Sequence, residues 1–152
     1  MRRTPGVVLG LCLYLACTGL PQEGVVTDLI GTWDDITPER ERQRVGYRAA
    51  TARVPLTFEG SACIWGEPGG RAIRQSLFIP IQAGSHRGMD FVTVSSGAFW
   101  KTRALLKIEG NTLTIKEAAL DRPRPTDFST WEFDGQNADA MASVYVYKRR
   151  VK

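Results

Sequence analysis

The chain has 152 residues, 43% of them hydrophobic and 24% charged. That balance excludes a disordered chain, a collagen-like chain and a multi-span membrane protein, and the length favours one domain. Twenty Lys and Arg against sixteen Asp and Glu give a net charge of +4, which falls to +2 without Arg2 and Arg3 and is too weak to argue for nucleic acid. A single His and three Cys exclude most metal or thiol–imidazole sites built from these residues alone. No metal and no cofactor is expected.

The first 19 residues have the layout of an export signal. Met1-Arg2-Arg3 is a short basic start, and Gly6 to Leu20 carries no charge. A span needs about 20 apolar residues, so this run is too short and reads as a signal h-region. Tyr14-Leu15-Ala16-Cys17 is similar to a bacterial lipobox, although Tyr14 and Leu15 depart from the pattern. Cleavage there makes Cys17 a lipidated first residue, holding the protein at a membrane surface without spanning it. Ordinary cleavage after Gly19 is the alternative. The expected location is therefore outside the cytoplasm, lipid-anchored or free. Only Cys63 remains in the folded part, so that part rests on its hydrophobic core; about 136 residues are enough for one.

Residues 26–152 read as short strands joined by tight turns. Gly31–Ile36 opens the series. Thr37-Pro38-Glu39 follows as N-cap, first-turn Pro and first-turn acid, predicting one helix to about Val45 with a solvated, charged face. Val54–Glu59 and Ala62–Trp65 flank Gly60-Ser61, which predicts a hairpin with Phe58 opposite Cys63 and Leu56 opposite Trp65. Cys63 then faces inward as a small hydrophobe. Ile73–Gln82 is a strand whose Pro80 implies an edge or a bulge. His86 sits in a Gly84–Gly88 turn, and a lone loop His carries little chemical weight. Met89–Ser95 is another strand. Ala104–Glu109 and Thr112–Lys116 flank Gly110-Asn111, placing Ile108 opposite Leu113 and Leu106 opposite Ile115. Trp131–Phe133 and Ser143–Arg149 close the list. This is an all-β pattern: a single antiparallel barrel of about eight short strands, with one short helix after the first.

No catalytic constellation emerges, so an enzyme is the least favoured class. Asp34 and Asp35 point to opposite faces of a strand and do not form an acid pair. Trp100 is the best candidate for an exposed aromatic. Arg122 and Arg124, in Asp121-Arg122-Pro123-Arg124-Pro125, form a rigid basic loop that contacts an anion or partner, or else bridges to Asp127 or Glu132.

Leu29-Ile30-Gly31-Thr32-Trp33, Leu56-Thr57-Phe58-Glu59-Gly60, Met89-Asp90-Phe91, Ile108–Ile115, Arg124–Phe128 and Val144–Arg149 together resemble an exported, uncharacterised domain family abundant in planctomycete bacteria. That family looks lipocalin-like. The resemblance implies that Gly31 and Trp33 close one barrel end beneath a basic residue of the last strand, Arg149. It implies a non-enzymatic binding module for a small apolar ligand, touching a membrane only through a lipid anchor. The alternative is a surface module that binds protein or polysaccharide through barrel-end loops bearing Trp100, Arg122 and Arg124.

Overall fold

The computed structural model describes residues 27–44, 53–95, 97–129 and 142–151. The signal-like first 19 residues with Cys17, and Trp131–Phe133 with Glu132, lie outside these residues. The strands are β1 (Gly31–Asp35), β2 (Leu56–Glu59), β3 (Ala62–Trp65), β4 (Arg74–Ala83), β5 (His86–Ser95), β6 (Ala98–Glu109), β7 (Thr112–Glu117) and β8 (Ser143–Arg149), with helix α1 (Glu39–Arg44) after β1. They form a closed antiparallel barrel in sequence order, β1 meeting β8 through Trp33 opposite Arg149. The predicted eight-stranded all-β barrel with one short helix is therefore the observed fold.

Tight turns set the registers. Gly60 and Gly110 each open a two-residue turn at positive φ, a conformation that costs glycine nothing. Phe58 pairs with Cys63, Leu56 with Trp65, Ile108 with Leu113 and Leu106 with Ile115, as the alternation of apolar residues predicts. The inward faces supply the core: Leu56, Phe58, Cys63, Phe78, Met89, Phe91, Ala104, Leu106, Leu113, Ile115 and Tyr147 are all buried. Phe58 and Phe78 meet edge to face at 5.2 Å, a preferred arrangement for aromatic pairs.

Three local features depart from expectation. Thr37 precedes α1, but its hydroxyl latches onto β8, donating to the Val146 carbonyl (3.3 Å) and accepting from the Val146 amide (2.9 Å). Glu41, expected on a solvated face, is buried. The β4–β5 turn is only Gly84-Ser85, so His86 begins β5 and its ring stands edge to face with Phe128 at 5.7 Å. Pro80 fits its place for a definite reason. Strand β3 ends its pairing with β4 at Leu77, and the Phe78 amide donates to the Ser61 carbonyl on that side. Two residues on, Pro80 faces the same way where no strand follows, so its missing N–H costs no ladder bond.

Candidate functional site

The end of the barrel where β1 begins is closed. Residues 27–30 cross it and are fastened from within. The Trp33 indole N–H donates to the Leu29 carbonyl at 2.8 Å, and both side chains are fully buried. The Arg149 guanidinium lies 4.2 Å above the Trp33 ring and donates to the Ile30 carbonyl (3.0 Å) and the Asp28 carbonyl. Cation–π stacking of this kind contributes about 0.5–2 kcal/mol. Gly31 sits at φ +124°, and a Cβ there would come within 3.6 Å of the Arg149 guanidinium. Arg87 adds an ion pair to Asp28. Gly31, Trp33 and Arg149 thus meet in one closure with a structural role.

The opposite end is chemically different. Arg74 starts β4 on the inward face, opposite Trp65. Its guanidinium stacks 4.2 Å over the Trp65 ring and 5.6 Å from Phe91. Nη1 pairs with Glu117 Oε1 at 2.8 Å, Nη2 donates to the Thr102 hydroxyl at 3.1 Å, and Nε reaches the Ser76 and Thr93 hydroxyls at 3.3 and 3.4 Å. Thr102 also donates to Glu117 Oε1 at 2.5 Å, and the Ser76 and Thr93 hydroxyls bond each other at 2.5 Å. An arginine has five N–H donors in a planar fork. In the bonds formed by the described residues, each Nη nitrogen uses one of its two. The Glu117 side chain is buried, whereas that of Arg74 is 29% exposed. The result is a cation at the boundary between core and solvent, with aromatic faces beside it and N–H groups to spare.

Neighbouring titratable groups are tuned by the same burial. Burial pushes the Cys63 thiol well above its usual range; nearby Arg74 opposes this weakly, and Glu117 adds to it. Cys63 is an inert core residue. Burial also raises the Tyr147 phenol well above its ordinary value, aided by Asp35 and Tyr145 and opposed by a hydrogen bond with Trp65. Among the described residues, no three His, Cys, Asp or Glu side chains converge as a metal site.

The residues expected to make outside contacts separate. Trp100 is 44% exposed, but it lies on the inward face of β6 opposite Thr93, at the rim of the Arg74 cluster. Among the described residues the most exposed aromatic is its neighbour Phe99, at 77%. Arg122 is exposed and its carbonyl accepts from Arg103 at 2.9 Å. Arg124 is not an outward-facing contact residue, which corrects the reading of a free basic loop. Its guanidinium tucks against β5 and β6, bonding the Met89 carbonyl (2.9 Å), the Ala104 carbonyl (2.5 Å) and the Asp90 carboxylate. Its acid among the described residues is Asp90, and Gly88 leaves the space, since a Cβ there would fall 3.1 Å from Arg124 Nη1. A groove of about 450 Å³ beside His86, Arg87, Lys107 and Phe128 lies at the closed end, away from Arg74.

Comparison with known proteins yields no matching family model, no matching curated protein and no matching solved structure. The sequence pattern does not mark the Arg74 cluster, because its hydroxyls and charges sit at inward positions that apolar alternation leaves blank. Arg74-x-Ser76, Thr93 and Thr102 do share one face once β4, β5 and β6 are extended to their full lengths.

Proposed function

We propose that the chain is an exported binding module that takes a small amphipathic molecule at the Arg74 end of its barrel. The carrying observation is the Arg74 guanidinium, stacked on Trp65 inside the barrel with N–H groups left over. An eight-stranded barrel has room for packed side chains or one small ligand. Among the described residues the aromatic and aliphatic core lies toward the closed half, and the polar groups on the inward face gather toward Trp65, Arg74 and Trp100. That region pairs ring faces with polar groups, the usual make-up of a small-molecule site. A purely apolar ligand would leave the Arg74 donors unmet, at a cost of about 1–3 kcal/mol. The favoured ligand has an apolar body and a head group that accepts hydrogen bonds, a carboxylate above all. The signal-like first 19 residues and the lipobox-like Tyr14–Cys17 support a lipid-anchored place outside the cytoplasm.

Calorimetric titration with decanoate and decylamine tests the site. Decanoate is expected to bind one to one, at least tenfold more tightly than decylamine, and Arg74→Gln is expected to weaken it at least tenfold. Equal binding of the two amphiphiles, or no loss in Arg74→Gln, contradicts the reading. Metabolic labelling with palmitate tests the anchor: label is expected in the wild type and none in Cys17→Ser.

A further inference from the structure

We propose that the outer face of β4, β5 and β6 lies against an anionic membrane surface. The ladder pairs arrange this face in rows. Val94 is opposite Phe99; Leu77 is opposite Val92, which is opposite Lys101; Ile79 is opposite Asp90, which is opposite Arg103. Ile73, Leu77 and Ile79 on one side, with Val94 and Phe99 at the hairpin end, are all exposed. Exposed apolar side chains grouped on one sheet face mark an interaction surface.

The third column is basic. Lys101 Nζ pairs with Asp90 at 2.5 Å, and Arg124 shares that carboxylate. Arg103 and Arg122 lie beside them, exposed or half-exposed, and neither makes an ion pair among the described residues. Among the described residues this region holds four cations, Lys101, Arg103, Arg122 and Arg124, against Asp90 and Asp121, a net excess of two positive charges.

The shape and charge favour a bilayer over a folded partner. The apolar side chains stand on the outer, convex side of the barrel wall. Phe99 stands on this face at the end of the hairpin, an exposed apolar ring of the kind that enters the headgroup–acyl boundary. Each basic residue near an anionic surface adds attraction, which salt screens. Cys17 stands ten residues before Thr27, a reach of at most about 33–36 Å. That allows a chain anchored there to lie on its side. The face is distinct from the Arg74 site, so either stands without the other.

The full chain is attached to vesicles carrying brominated acyl chains, either phosphatidylglycerol with phosphatidylcholine or phosphatidylcholine alone. Phe99→Trp adds a reporter on the face; Lys148→Trp adds one on β8, on the far side of the barrel. The added Phe99→Trp emission is expected to fall at least twofold on the anionic vesicles. It is expected to fall less on neutral ones, while the Lys148→Trp emission is unchanged on both. Arg103→Gln with Arg122→Gln, checked for a wild-type melting curve, is expected to remove the difference between vesicle types. Equal quenching at both reporters, none at Phe99→Trp, or a Phe99→Trp change that follows protein concentration without lipid overturns the proposal. The last result would assign the face to a second copy of the chain.

Discussion

Arg74 and Glu117 form an ion pair inside a barrel, where desolvation is costly and breaking the pair costs more than replacing it. Removing one partner of a buried pair typically costs about 3–5 kcal/mol, whereas an apolar replacement of both is often near neutral. Arg74→Met should therefore lower stability by about 3 kcal/mol in urea denaturation, and Arg74→Met with Glu117→Leu should recover at least half of the loss. A double variant no better than the single one would show that the pair is not the source of the cost. Asp90 offers a second residue-scale test. Burial works to raise its carboxyl pKa, but hydrogen bonds and charge from Lys101 and Arg124 outweigh it and hold it below the ordinary value. A carboxyl with a depressed folded pKa contributes stability that is present above its unfolded value, about 3.9, and is lost as pH falls through the folded value. Between about pH 5 and pH 2 the wild type should lose more stability than Asp90→Asn; parallel curves would contradict the assignment.

At the scale of elements, β5 is held between β4 and β6 from Arg87 to Thr93, and the segment carrying Arg124 is pinned to it through Gly88 and Asp90. A Cβ at Gly88 would lie 2.7 Å from Ile81 Cγ1 and 3.1 Å from Ala83 Cβ. Gly88→Ala should thus cost about 1–3 kcal/mol, the range for overpacking. An unchanged denaturation midpoint would show that the loop is not docked here. The two short hairpins were legible in the sequence because a two-residue turn fixes the pairing and apolar residues then fall on one face. Strand β8 was legible for the same alternation. The length of β6 was not: beyond Ala104 its inward residues are Thr102 and Trp100, opposite Phe91 and Thr93, so the apolar signal fades just where the candidate site begins. Arg124 was misplaced because its partner Asp90 is far away in sequence, and only the fold brings the two together.

At the scale of the molecule, the barrel has a closed end and, opposite it, the end that carries Arg74. Trp33 holds the closed end, where β1 and β8 meet. Trp33→Ala should cost about 3–5 kcal/mol, the range for a large buried aromatic, out of a total of about 5–15. A variant with the wild-type melting temperature would mean that this closure is not what holds the barrel. The division itself is tested most directly by the indole N–H resonances of the four tryptophans during titration with decanoate. The Trp65 and Trp100 signals should shift together and saturate, while that of Trp33, bonded to the Leu29 carbonyl, stays fixed. A titration that moves Trp33, or that leaves Trp65 and Trp100 in place, would contradict the account.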